Sequence, residues 1–131
     1  VGVAKACLEH SIRYANEREQ FGQLISSFQM IQDQIAEMYV EEQAARLLLY
    51  RAACNRDLGQ RNTIEVSCAK YYAAEVAVKA ANQAVKIFGS YGFSSEYPVE
   101  RFYRDAKSYQ IVEGTSNIQK WIIARNALGV K

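Results

Sequence analysis

A single histidine, a single proline and only three cysteines in 131 residues exclude several chemistries together. His10 alone cannot build an imidazole metal centre, and no glutamate stands three residues before it, so the Glu-x-x-His pairs of a di-metal helical bundle are missing. Cys7, Cys54 and Cys68 are odd in number and have neither CxxC nor metal-ligand spacing. They read as small buried or half-buried thiols of a reducing compartment. Cys7 and His10, three residues apart, read as neighbours on one packed helix face rather than as a nucleophile and its base. No run of about 18 apolar residues occurs, so no membrane-spanning helix is expected. Like charges never run for more than a few residues, and 16 basic against 14 acidic residues leave a formal +2. Neither nucleic acid nor an anionic membrane is suggested as a partner. A Walker-type phosphate loop is missing, and Gly89-Ser-Tyr-Gly92 lacks the preceding strand of a dinucleotide fingerprint. No strand pattern, low-complexity segment or internal repeat stands out.

What is present is helical periodicity. A chain of this length fits one domain and can bury roughly two-thirds of its unfolded surface. Val3, Ala6, Cys7, His10 and Tyr14 fall at three- and four-residue steps and predict a first helix with that face buried. The period is lost over Glu17–Ser27, which contains Gly22 and reads as a loop. From Phe28 it returns: Ile31, Ile35, Met38, Ala45, Leu49 and Ala52 form a stripe interrupted only by Glu42, a helix of about eight turns. Gly59 and the polar Gln60–Thr63 end it and cap a third helix carrying Val66, Ala69, Ala73, Val76, Ala80 and Ile87. Further alanines at 74, 77, 81 and 84 allow close helix approach. A glycine- and aromatic-rich loop over 89–97 leads to Pro98, which opens a short helix with Val99, Phe102 and Tyr103 on its apolar side. The last helix runs from about Asn117 to Leu128, ahead of Gly129. The predicted fold class is all-α, an up-down bundle of long antiparallel helices with two short helices at the C-terminal end.

Between those two short helices lies Ser108-Tyr-Gln-Ile-Val-Glu-Gly-Thr-Ser-Asn-Ile-Gln119, which sets one carboxylate, Glu113, in a break of the helical pattern. Gly114 directly after it permits close approach of a backbone or ligand. Ser116 and Gln119 have the spacing of a capping box, which would place Glu113 just ahead of a helix N-terminus.

Several motifs in series carry a resemblance. Tyr14-Ala-Asn-Glu-Arg-Glu-Gln-Phe-Gly22, Ile87-Phe-Gly-Ser-Tyr-Gly-Phe93, Glu96-Tyr-Pro-Val-Glu100, Arg104-Asp-Ala-Lys107 and Ile111-Val-Glu-Gly-Thr-Ser116 with Ile118-Gln119 closely resemble the C-terminal helical domain of the acyl-CoA dehydrogenases. The resemblance covers essentially the whole chain. It implies a piece of a longer flavoenzyme, residues 1–131 forming one domain, with an N-terminal helical domain and a middle β-domain outside it. Val1 in place of an initiator methionine agrees with that expectation.

The implied activity is FAD-dependent desaturation of an acyl thioester at C2–C3. Glu113 matches the base that removes the α-proton, with its own backbone N–H among the donors to the enolate oxygen. Gly114 gives room for substrate and flavin, and Val112, in place of a common tyrosine, borders the reacting carbons. Arg18 and Phe21 match residues that reach the flavin cofactor of a neighbouring subunit, the arginine at its pyrophosphate. Thr115 matches a further FAD contact, and Gly89 keeps the first glycine of the second loop. Lys86, Ser90 and Asn117 depart from the common pattern at or near cofactor positions, Asn117 replacing a longer side chain. The implied partners are an acyl-CoA or acyl-carrier-protein thioester, electron-transfer flavoprotein as electron acceptor, and three further copies in a dimer of dimers. The implied location is the bacterial cytoplasm or the mitochondrial matrix, and the isolated domain is expected to be inactive. The competing reading is a helical oligomerisation module that keeps the fold without the chemistry.

Overall fold

The computed structural model describes residues 1–130. Five α-helices carry the fold: α1 (Gly2–Ala15), α2 (Gln29–Asp57), α3 (Thr63–Phe88), α4 (Val99–Ser108) and α5 (Ser116–Leu128). The helices α1, α2 and α3 alternate in direction. Asn16 faces Ile31 at one end of the α1–α2 pair, while Lys79 of α3 bonds Glu37 and Glu41 of α2. The helices α4 and then α5 both run back along α3, so α3 touches every other helix.

That central position explains the composition of α3. Ala69, Ala74, Ala77, Ala80, Ala81 and Ala84 are all buried, and only small side chains let several helices lie this close to one axis. Around them the core is completed by Cys7 and Leu8 of α1, Met38 and Ala45 of α2, and Val99 and Ala106 of α4. Val66, expected in the buried stripe, is exposed instead, because it faces a surface groove near the start of α3.

Other faces differ from expectation by a similar small rotation. In α1 the most buried row is Ala4, Leu8, Ser11 and Ala15, beside the predicted row, of which Cys7 and Tyr14 are buried and Val3, Ala6 and His10 only half-buried. Along α2 the stripe continues through Glu42, which is buried with its carboxylate held by Arg46 and by Gln43 Nε2 at 2.7 Å, as a buried charge requires. Leu49 of that stripe and Tyr103 of α4 are exposed, as is Cys54, while Cys7 is buried with its thiol pushed up to about 12 by desolvation.

Two local features were not anticipated. The Glu17–Ser27 loop contains a small antiparallel hairpin, β1 (Glu19–Gln20) with β2 (Gln23–Leu24), in the register Glu19 to Leu24 and Gln20 to Gln23. Its two turn residues, Phe21 and Gly22, both have positive φ, +54° and +78°, which matches the twist of such a turn. At α5 the N-cap is Thr115 rather than Ser116: Thr115 Oγ1 accepts the Ile118 N–H at 3.3 Å. Ser116 is diverted, because its hydroxyl donates to Glu75 of α3 at 2.7 Å.

Candidate active site

The segment joining α4 to α5 is short, polar in its bonding and tightly turned. Ile111 and Val112 N–H both donate to the Ser108 carbonyl, and Ser116 N–H closes the loop onto the Gln110 carbonyl at 3.0 Å. To fit inside that closure, Glu113 takes φ +55° and Gly114 φ +91°. Left-handed backbone is strained at a non-glycine residue, so Glu113 is held there by its surroundings. Gly114 is required twice over, by its φ and because a Cβ would come within 2.5 Å of Gln119 Nε2. That same amide donates to the Gly114 carbonyl at 3.4 Å, so Gln119 braces the loop rather than closing a capping box. The Glu113 N–H has no protein acceptor among the described residues.

Glu113 and Val112 stand on the rim of a groove of about 820 Å³. Leu49 and Ala52 of α2, with Val66, Ala69 and Ala73 of α3, supply much of its apolar wall. Lys70 is the one cationic side chain of the lining, and its Nζ is turned onto the Tyr109 carbonyl. The groove therefore offers apolar surface with one carboxylate at its mouth, an arrangement suited to an acyl chain. Glu113 itself is exposed, so the dry setting expected of a base does not form within this chain alone.

The other predicted residues gather elsewhere. Arg18 and Phe21 belong to the hairpin, and Gly89 ends α3 beside them. The Arg18 guanidinium lies 5.6 Å from the centroid of the Tyr91 ring and has no carboxylate partner among the described residues. Beneath it is an aromatic cluster: Tyr14 stacks on Phe88 at 4.0 Å, and Tyr97 meets Phe88 at 5.3 Å and Tyr91 at 5.4 Å. Tyr14 Oη donates to the Phe88 carbonyl, and burial raises its pKa above the ordinary tyrosine range. Phe21 is 93% exposed, a large apolar ring whose one aromatic neighbour among the described residues is Phe28, met edge-on at 6.2 Å. Gly89, at φ +61° and ψ −132°, has a backbone that only glycine adopts freely, while Gly92 is fixed by crowding, with a Cβ 2.4 Å from the Val85 carbonyl oxygen.

The structure thus divides the predicted residues into two groups. Val112, Glu113, Gly114, Thr115 and Asn117 sit where α4 gives way to α5, beside Glu75; Arg18, Phe21 and Gly89 sit at the far end of α3. Thirteen residues of helix lie between Glu75 and Gly89, fourteen steps of 1.5 Å or about 21 Å. The residues present fit a large anionic, aromatic cofactor: at one cluster a guanidinium without a carboxylate partner among the described residues, an exposed phenyl ring and open space around Gly89, and at the other the exposed first turn of α5 at Asn117. Glu75, Lys70, Gln110 and Tyr91 were not singled out from the sequence. The one available signal was Glu75, a lone carboxylate in the alanine-rich part of α3.

Known proteins share this fold. Residues 1–128 match the family model described as acyl-CoA dehydrogenase, C-terminal domain. Glutaryl-CoA dehydrogenase of Desulfococcus multivorans is 56% identical over 132 aligned positions, which cover 100% of this chain and 34% of that protein. A solved glutaryl-coenzyme A dehydrogenase in complex with glutaryl-CoA superposes with a TM-score of 0.96 at 56% identity, over 99% of this chain and 33% of that one. An FAD complex of PigA superposes with a TM-score of 0.92 at 34% identity, over 97% and 33%. The chain belongs to the acyl-CoA dehydrogenase family and corresponds to its C-terminal helical domain. It spans about a third of the length of the relatives it matches.

Proposed function

We propose that this chain is the C-terminal domain of an FAD-dependent dehydrogenase that desaturates an acyl thioester at C2–C3, with Glu113 as the base. The observation that carries the reading is the placement of Glu113: a lone carboxylate held in left-handed backbone at the mouth of an apolar groove, with its own N–H unpaired. The α-proton of a thioester is weakly acidic, so its removal needs a positioned base together with a donor to the oxygen on which charge develops. Glu113 supplies both, the carboxylate taking the proton and the N–H facing the thioester oxygen. FAD, when bound, accepts the β-hydrogen with its electron pair. Gly114 leaves space for the reacting carbons, and Val112 borders the acyl chain. Thr115 Oγ1 caps α5 as an acceptor and keeps its hydroxyl proton to donate, and Asn117 presents an amide on the same turn.

Arg18 and Phe21 sit at the opposite end of α3 from the loop that carries Glu113. The separation supports Arg18 and Phe21 serving the FAD of a neighbouring copy, within a dimer of dimers. Exposed apolar side chains along α2, among them Met30, Val40, Leu47 and Tyr50, support burial against other domains or copies. Electron-transfer flavoprotein is the proposed acceptor, and coenzyme A or an acyl-carrier protein the carrier of the acyl group. The proposed compartment is the bacterial cytoplasm or the mitochondrial matrix. No described helix is long and apolar enough to cross a membrane.

The test is Glu113→Gln in the full-length enzyme, mixed anaerobically with acyl thioesters while flavin absorbance is followed. The variant is expected to keep its flavin and to lose reduction by substrate. Bleaching at a near-parental rate would remove Glu113 from the role of base.

A further inference from the structure

Glu75 is half-buried on α3, and each of its carboxylate oxygens takes a hydrogen bond from a different end of the loop that carries Glu113. Gln110 Nε2 donates to Oε2 at 2.8 Å where the loop begins, and Ser116 Oγ donates to Oε1 at 2.7 Å where it ends. The same two residues are joined to each other by the Ser116 N–H to Gln110 carbonyl bond at 3.0 Å. Lys70, further back on α3, holds the preceding Tyr109 carbonyl. Among the described residues, these are the hydrogen bonds that connect the 109–116 segment to α3. Left-handed backbone at Glu113 persists only where surrounding contacts over-determine it, and here Glu75 is the one side chain of α3 that bonds both flanks of the strained pair, with Lys70 and Gln119 adding single contacts.

We infer that Glu75 is a positioning residue for the proposed reaction: one carboxylate clamps both ends of the loop and so fixes where the Glu113 carboxylate stands. The inference rests on the reading of Glu113 as base and adds the device that aims it. A carboxylate suits the task because it accepts two donors arriving from two directions, one on each oxygen. Glutamine at the same place still accepts one bond, and its NH2 can serve the other partner once Gln110 flips or Ser116 turns its hydroxyl. Alanine releases both ends. The effect of release falls on orientation rather than on substrate affinity, since the apolar wall of the groove is untouched.

The experiment compares Glu75→Ala, Glu75→Gln and Glu41→Ala in the full-length, flavin-loaded enzyme. Glu41→Ala is the control, removing a cross-helix partner of Lys79 on α3 away from the loop. Glu75→Ala is expected to slow flavin reduction at saturating thioester by about 100-fold, the scale of a misplaced reacting group, with substrate affinity changed by less than about threefold. Glu75→Gln is expected to recover most of the rate. Independently of catalysis, amide hydrogen exchange over residues 110–116 is expected to rise by about tenfold or more in Glu75→Ala and to stay unchanged in Glu41→Ala. Should Glu75→Ala fail to fold, the double variant Gln110→Ala with Ser116→Ala removes the same two bonds from the loop side and carries the same expectations. Near-parental reduction in the clamp-free variant, unchanged exchange over 110–116, or an equal loss in Glu41→Ala would each overturn the inference. If Glu113→Gln still reduces flavin, the reading of the base fails, while the exchange measurement still decides whether Glu75 holds the loop.

Discussion

Phe21-Gly22 and Glu113-Gly114 use one backbone device in two settings. They contain the only non-glycine residues with positive φ among the described residues, at +54° and +55°, and each is followed by a left-handed glycine. In the hairpin the device is local: β1 and β2 pair across the turn, and a Cβ at Gly22 would meet nothing within 4 Å. In the α4–α5 loop it is held by distant residues, with Glu75 and Lys70 gripping the ends and Gln119 pressed against Gly114. The lesson is that equal backbone strain has different owners. The hairpin carries its own support and presents Phe21 to whatever lies outside the chain, whereas the loop borrows support from α3 and in return has a fixed position.

Substitutions can sharpen or break that contrast. The largest effect is expected at the base of the second loop, where Gly92→Ala drives a methyl group into the Val85 carbonyl; about 3 kcal/mol of stability should be lost in urea unfolding. The direct comparison comes next. Gly114→Ala should cost about 2 kcal/mol and Gly22→Ala about 1, since both meet the backbone penalty but only the first meets a packed neighbour. Equal losses at the two glycines would show that the loop is no more constrained than the hairpin.

Phe21→Asn runs the other way. Asparagine tolerates left-handed backbone and Asn-Gly favours this two-residue turn, so the hairpin should gain about 0.5 kcal/mol. The same change should weaken FAD retention in the full-length enzyme, the expected cost when a residue is kept for contact rather than for its own fold. Retention at the parental level would break the argument that the exposed ring serves a cofactor.

The smallest effect belongs to His10, which lies in neither region. Burial lowers its pKa below the ordinary histidine value, the neighbouring Arg13 lowers it further, and Glu9 opposes both. The folded chain therefore binds this proton less readily than the unfolded chain. The associated stability is complete above about pH 6.5 and declines as pH falls through that value toward the lower folded pKa. His10→Gln should flatten the pH dependence of the melting temperature between about pH 7.5 and 5.5 relative to the parent. An identical slope in the variant would remove His10 as its source.

Much of the fold was legible in the sequence because a helix repeats its instruction every few residues. The long stripe of α2, the alanines of α3 and the terminal Gly129 each carry redundant local information. The hairpin was not legible, since a two-residue ladder of Glu19, Gln20, Gln23 and Leu24 is too short to show an alternation. The α5 cap was off by one residue for a different reason. Thr115 and Ser116 are both good caps, and the choice is made by Glu75, 41 residues away, which engages the serine hydroxyl. The candidate base could be placed from its motif, but its exposure and its distance from Arg18 depend on how α4 and α5 lie along α3. That is tertiary information that no local pattern holds.

The alanine face that lets α3 sit at the centre of the bundle also makes it a ruler. Glu75, which grips the loop, and Gly89, where the hairpin cluster begins, are marks on one uninterrupted rod. Sliding a single extra residue into the rod between them would lengthen it by about 1.5 Å and turn one end by about 100° against the other, so the two clusters could no longer both keep their bearings. Insertions should be tolerated after Gly59, and almost nowhere between Val76 and Ile87.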